Sequence, residues 1–289
     1  MVSLIVATVN RVAELERLLA SLDAQTYKEF EVIVIDQNTD ERLAPVLQSH
    51  SALTIRHLRS ERGAGRARNQ GLRIARGSVI CFPDDDCWYP ESLLTSVIHW
   101  LEQNRGFDAV FTTMRDADGQ PVGPRWPRSP CVVTKSNLWN TTIFVTAFLR
   151  RAVTDAVGYF REDIGVGAST PYQSGEESDY FLRALARGFR MWYDPAPSLV
   201  VHHPSLHSLE RLRATTYPYA LGAGYVMRIH GYSWRVFGGH FLRSLGGATV
   251  SLGKADSAMA HVYLLRAAGQ IRGYFWGPRD LARLRAGAD

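Results

Sequence analysis

Glu31-Val32-Ile33-Val34-Ile35-Asp36 is a short apolar run closed at each end by a carboxylate. It does not alternate, so it reads as a strand covered on both faces, the habit of a parallel sheet. Upstream, Ser3-Leu4-Ile5-Val6-Ala7-Thr8 is a second such run. Between the two, Leu15, Leu18, Leu19 and Leu22 recur at helical spacing over Glu14 to Leu22. Downstream, Leu53 to Leu58 is a weaker strand, and Gly65 to Arg76 reads as a helix closed by Gly77 at its C-cap. Ser78-Val79-Ile80-Cys81-Phe82 is a fourth strand, Pro90 opens a helix to about Gln103, and Asp108 to Thr113 is a fifth strand. Alternation of this kind predicts an α/β fold: a Rossmann-like, mostly parallel sheet with right-handed crossovers, flanked by helices.

The later chain is less regular. Asp116 to Pro130 reads as a loop or hairpin, Trp139 to Leu149 as a strand, and Gly165 to Gly175 as a mobile loop. Glu176 to Arg187 is a helix that Gly188 can cap. Residues 1–204 are expected to form a catalytic domain, with a first half over about 1–115 and a second over about 116–204, and 205–289 a basic, mainly helical extension.

Composition narrows the class. The 289 residues are 46% hydrophobic and 21% charged, as in ordinary globular proteins. No apolar run approaches the roughly 18 residues of a membrane-spanning helix. Met1-Val2-Ser3-Leu4-Ile5 reads as a strand without a basic leader, which argues against secretion. Three cysteines make no disulfide framework, and a reducing cytoplasm fits them. The net charge of +5 is unevenly divided: Ser205 to Asp289 carries 11 basic against 4 acidic residues, leaving 22 against 24 for the rest.

In sheets of this kind ligands bind beyond the carboxyl ends of the strands. Thr8-Val9-Asn10-Arg11, Asp36-Gln37-Asn38 and Asp84-Asp85-Asp86 all fall there. Three adjacent carboxylates repel one another unless a cation neutralises them. Hard divalent ions such as Mg²⁺ or Mn²⁺ take such oxygen ligands. A solvated turn is the plain alternative for Pro83-Asp84-Asp85-Asp86.

Ala7 to Arg11, Gln25-Thr26-Tyr27 through Asp36, Ala67-Arg68-Asn69-Gln70-Gly71, Phe82 to Asp86, and Gly175-Glu176-Glu177-Ser178-Asp179 through Arg183 stand in order. In that order and spacing the chain resembles the family 2 glycosyltransferases from about Val2 to Pro204. The resemblance implies the GT-A fold and an inverting, metal-dependent transfer from a nucleotide-sugar donor. It places Thr8 and Asp36 in the nucleoside pocket, with Asp36 accepting from the base, and Arg68 on the nucleotide; Asn10, Arg11 and Asp85 complete that set. Asp84 stands near ribose and metal, and Asp86 is the direct ligand of Mn²⁺ or Mg²⁺. Glu177 is the implied general base, with Glu176 and Asp179 as rivals, and His202 or His203 stands near the metal or diphosphate. Two departures are Gln37, where many relatives have a second aspartate, and Glu177 itself, one methylene longer than the usual aspartate.

The expected acceptor is a glycan or lipid-linked glycan of bacterial surface-polysaccharide synthesis, met in the cytoplasm or peripherally at the inner face of the membrane. Arg228, Arg235 and Arg243 fall near one helical face of an aromatic-rich tail, which suggests an anionic lipid surface. Packing on the catalytic domain and a homodimer interface are the alternatives. The order Gly63-Ala64-Gly65 lacks the third glycine of a dinucleotide fingerprint, no P-loop occurs, and no nucleic-acid module is present. A nucleotidyltransferase acting on sugar phosphates and a non-catalytic nucleotide-sugar-binding subunit are the rival functions.

Overall fold

A computed structural model describes residues 1–201 and 208–286. The first part of the chain runs β1 (Val2–Thr8), α1 (Val12–Asp23), β2 (Phe30–Asp36), α2 (Ala44–Ser49), β3 (Ile55–Arg59), α3 (Ala64–Ile74), β4 (Val79–Cys81), β5 (Cys87–Trp88) and α4 (Leu93–Gln103). It continues with β6 (Ala109–Arg115), β7 (Pro121–Val122), β8 (Cys131–Val132), α5 (Leu138–Thr141), β9 (Ala147–Arg150), α6 (Arg151–Val157), α7 (Glu176–Ala186) and β10 (Met191–Val201). Three helices follow: α8 (Leu209–Ile229), α9 (Trp234–Gly253) and α10 (Ser257–Ala286).

The sheet order is β3-β2-β1-β4-β9-β6-β10-β5, with β7 on β6 and β8 on β10. The first four positions are parallel, as the sequence predicts. Both faces of β1 are covered: Leu4 and Val6 join Leu15, Leu18, Leu19 and Leu22 of α1 in the core. On the other face Ile5 meets α3 so closely that a methyl group at Gly71 would overlap it. This two-sided burial is why the strands read as continuous apolar runs.

The other half corrects the sequence reading. β9 is antiparallel to both β4 and β6, so the sheet is mixed rather than mostly parallel there. Only Ala147–Arg150 of the expected Trp139–Leu149 strand is extended. The Thr141 and Thr142 hydroxyls donate to the carbonyls of Asn137 and Leu138 at 3.0 and 2.9 Å, giving that backbone a local alternative to a ladder. Gly77 is no helix cap either: α3 ends at Ile74, and Gly77 donates its N–H to Ser3 Oγ at 2.7 Å in a contact too tight for a side chain. Gly188 does terminate α7, at φ +85°, with its N–H bonded to Leu185 at 3.0 Å.

By its contacts the chain divides into two units. The first holds the whole sheet. The second gathers Gly63–Gly65, Arg161–Asp179 and the C-terminal helices, so the first turn of α7 groups with the helices rather than with the sheet. Within this unit α8 and α10 meet backbone to backbone, because a Cβ at Gly269 or Gly273 would strike the main chain of α8.

Two further expectations change here. Arg228, Arg235 and Arg243 do not share one helix: α8 ends at Ile229, Gly231 turns at φ +65°, and Ser233 caps α9. Arg228 therefore stands on a different helix from Arg235 and Arg243. The Gly165–Gly175 loop is tied down rather than loose. Gly165 N–H donates to Tyr172 O at 2.8 Å, Thr170 Oγ1 to Asp163 O at 2.6 Å, and Ser174 Oγ to Tyr219 O at 2.6 Å.

Candidate active site

The parallel register brings Thr8, Asp36 and Arg59 side by side at the carboxyl ends of β1, β2 and β3. Asp36 is fully buried and fully engaged. Its Oδ1 accepts from the backbone and side-chain N–H groups of Asn38 at 2.8 and 2.7 Å. Its Oδ2 meets His57 Nε2 at 3.0 Å and Arg59 Nη1 at 2.8 Å. A carboxylate has about four acceptor directions, and protein groups occupy all four. Asp36 thus ties Asn38, His57 and Arg59 together at the strand ends. Asn38 Oδ1 in turn accepts from the Asn10 backbone N–H at 2.7 Å, holding Asn10 at φ 59°, a left-handed conformation asparagine tolerates.

His57 and Arg59 were missed by the sequence reading. Their signal was available only as register: both are polar residues near the end of a weak strand beside Asp36. Beyond them a pocket of about 760 Å³ opens, lined by Gln37, Asn38, Arg59, Arg62, Arg66 and Gln70 among others. Its lining includes three arginines, of which Arg59 pairs with Asp36 and Glu41 and Arg66 with Glu61.

The Asp84–Asp86 turn follows β4 directly. Its side chains alternate: Asp85 is 6% exposed, whereas Asp84 and Asp86 are 48% and 22% exposed. Arg11 Nη1 bridges Asp85 Oδ1 at 2.7 Å and Asp86 Oδ2 at 2.6 Å. Partial desolvation opposes the Arg11 charge, but the two carboxylates outweigh it and hold its pKa above the usual value. Burial pushes the Asp85 carboxyl up, against the pull of Arg11 and the Thr8 hydroxyl. Crowding by protein, countered by Arg68 and reinforced by Asp86 and Asp85, lifts Asp84 to about 6. Arg68 is itself buried, 3.5 Å from Asp84 Oδ1, with its guanidinium 4.7 Å from the centre of the Phe144 ring. Asn69, next in the same motif, anchors Phe160 by exchanging hydrogen bonds with its N–H and C=O at 2.7 and 3.0 Å.

These residues fit a divalent cation by donor chemistry: two outward carboxylates, hard oxygen ligands, on a turn whose charge is only partly balanced. Among the described residues no group of three or more His, Cys, Asp or Glu side chains gathers around such a position. His202 and His203 lie outside the described residues.

The second acidic cluster opens α7. Glu176 and Asp179 are 4% and 2% exposed, while Glu177 is half-buried. Glu176 packs its carboxyl against Gly165, where a Cβ would stand 2.8 Å from Oε2. Asp179 Oδ1 meets His230 Nε2 at 2.9 Å. Glu177 faces away from both anchors, since it stands 100° from Glu176 and 160° from Asp179 around a helix. The Tyr219 hydroxyl is harder to ionise than usual, through burial and the charges of Glu176 and Glu177, with Arg211 opposing. Burial sets Glu177 apart from the other two acids.

Known proteins share this architecture. The solved structure of a mannosyltransferase from Pyrobaculum calidifontis, in complex with GDP-Man and Mn²⁺, aligns over 95% of this chain and 87% of its own, at TM-score 0.64 and 18% identity. The structure of Staphylococcus aureus TarS 1–349 in complex with UDP-GlcNAc aligns over 94% and 90%, at TM-score 0.61 and 18% identity. At that identity the likeness shows the fold, GT-A, and no more. An uncharacterised glycosyltransferase of Haemophilus influenzae is 39% identical over 113 residues, 38% of each chain. The Escherichia coli UDP-Glc:α-D-GlcNAc-diphosphoundecaprenol β-1,3-glucosyltransferase WfaP is 28% identical over 109 residues, 37% of this chain and 43% of its own. The chain thus matches about two fifths of the length of these two relatives. The sequence profile described as "Glycosyl transferase family 2" matches residues 3–161, and by that match over more than half its length the chain belongs to glycosyltransferase family 2.

Proposed function

We propose that this chain is an inverting, divalent-metal-dependent glycosyltransferase that moves a sugar from a nucleotide-sugar donor to a hydroxyl of a glycan or lipid-linked glycan. The observation that carries the reading is the alternation at Asp84–Asp86, which leaves Asp84 and Asp86 more exposed than Asp85, with Arg11 bridging Asp85 and Asp86 and Arg68 beside Asp84. Residues of about 1–115 bind the donor, and residues of about 116–204 serve the acceptor. Arg68 and the polar ends of β1 and β2 bind the nucleotide. Asp36 acts through Asn38, His57 and Arg59, leaving Gln37 and Asn38 to face the base. Asp84 and Asp86, with His202 or His203, would hold Mn²⁺ or Mg²⁺, and that cation would screen the negative charge growing on the leaving diphosphate.

Glu177 is the general base. It takes the proton of the acceptor hydroxyl as the oxygen bonds to the anomeric carbon and the bond to the diphosphate breaks. Its two rivals are buried against Gly165 and His230, which suits them to holding the helix start rather than meeting an acceptor. The undecaprenol-linked substrate in the name of the E. coli relative favours a lipid-linked acceptor in surface-polysaccharide synthesis. The protein then works in the cytoplasm at the inner membrane face, in peripheral contact through residues 205–289. No helix among the described residues is long and apolar enough to cross a membrane.

The test is a panel of nucleotide sugars with and without Mn²⁺, read first by thermal shift and then by donor turnover. A donor that binds only the folded chain raises its melting temperature. One sugar nucleotide should stabilise the protein in a Mn²⁺-dependent way and be turned over. Turnover that continues undiminished in EDTA would sink the metal-dependent reading.

A further inference from the structure

We infer that α9 is an interfacial helix whose outer face rests on an anionic lipid bilayer. This deepens the reading that residues 205–289 touch a membrane, and it names the element, the face and the lipid chemistry.

The helix has two unlike sides. Its inner side carries Phe237, Ser244, Ala248 and Ser251, the residues it buries. Its outer side carries Trp234, Leu242, Val250 and Leu252, all between 59% and 68% exposed. Arg235 and Arg243 lie on that same side, with Lys254 just past its end, all exposed. At 100° per residue this outer group spans about half of the helix circumference. Eleven of the 15 large apolar side chains exposed among the described residues belong to α8, α9 and α10, so the greasy surface is concentrated here. Phe275 of α10 is exposed as well, with one edge of its ring against the buried Phe237, 5.9 Å between ring centres. An apolar surface so gathered marks a contact site rather than chance exposure.

Charge selects the occupant. No carboxylate occurs between Glu210 and Asp256, while six arginines and lysines do. A second copy of this chain packed α9 to α9 across a two-fold axis would bring more basic residues to this face and no acid from α9 to pair them, since α9 carries no carboxylate. An anionic bilayer meets both requirements: its headgroups take the cations, and its acyl boundary takes Trp234, Leu242, Val250 and Leu252. Arg243 lies at one edge of this face and Arg235 near its middle at the helix start, and the long arginine side chain can extend from either to the headgroups. With 20 residues, α9 is about 30 Å long, enough to span a bilayer core, but its two arginines and five outer-face glycine and threonine positions keep it lying flat.

The experiment is flotation of the full chain with vesicles of phosphatidylcholine alone or mixed equally with phosphatidylglycerol. Wild type should float with the mixed vesicles, less with phosphatidylcholine alone, and less again as salt is raised. Leu242→Glu and Val250→Glu should each lower the bound fraction about tenfold, since each removes one buried aliphatic side chain. Both positions are exposed, so circular dichroism and melting temperature should match wild type. Donor turnover with a water-soluble acceptor should also be unchanged, which separates this proposal from the transferase reading: absent turnover with intact flotation would sink only the latter. Flotation equal in wild type and variants would overturn the assignment to α9. So would a wild-type dimer by light scattering that both variants convert to monomer, since the face would then belong to a second copy.

Discussion

The two acidic clusters of this chain solve the same problem by different geometries. Asp84–Asp86 sits on a turn after a strand, where side chains alternate, so the middle acid is buried and the outer two emerge. Glu176–Asp179 sits on the first turn of a helix, where positions one and four share a side, so the first and last acids are buried and Glu177 emerges. The holding groups differ as well. Arg11 from the loop after β1 and Arg68 of α3 partly balance the first cluster, whereas a glycine contact and a histidine anchor the second. In each case backbone period decides which carboxylate is exposed.

This comparison can be broken most directly at Glu177. Glu177→Gln should lower kcat by about 10²–10⁴ while the donor-induced thermal shift stays; Glu176→Gln should not reproduce that split. At the first cluster, Asp86→Asn should cost about 10²–10³ in kcat and abolish the Mn²⁺-dependent part of donor stabilisation. A smaller effect is expected at the anchor of the second cluster. His230→Phe should cut kcat about tenfold with the donor KM unchanged, and His230→Gln, which can still donate to Asp179, should recover most of it. Equal losses in both variants would reduce His230 to packing.

The smallest effect concerns pH. The folded pKa of Asp84, about 6, lies above its ordinary 3.8, so the folded state binds that proton more tightly than the unfolded chain. Its ionisation therefore weighs against folding as pH rises through about 6, and the penalty is absent below about pH 4. Asp84→Asn should raise the melting temperature by about 1–3 °C near pH 7.5, with the gain vanishing towards pH 4. The side chain is half open to water, which keeps the effect small. Added Mn²⁺ should stabilise wild type and not this variant, and its affinity should weaken below about pH 6 as protons compete.

The parallel half of the sheet was legible in the chain because Val32–Ile35 and Leu4–Ala7 are apolar without alternation, and nothing local competes with extension there. The region from Trp139 to Thr146 was not legible: its apolar content suits a strand, yet threonine hydroxyls and an aromatic cluster around Phe144 capture it. The tail misled for a related reason. A continuous helical pattern hides a break, and Gly231 with Ser233 places one only when the helices on either side pack differently.

The motif residues themselves, Thr8, Asp36, Arg68, Asp84–Asp86 and Glu176–Asp179, could be named from order and spacing, because chemistry of this kind demands particular groups at strand ends and helix starts. Which of them are open to a ligand was decided by tertiary structure alone. Asp36 is saturated by His57 and Arg59, which register brings from another strand, and Asp179 is held by His230 from 51 residues away. Exposure and hydrogen-bond saturation are sums over neighbours distant in the chain, and no local pattern of residues encodes them.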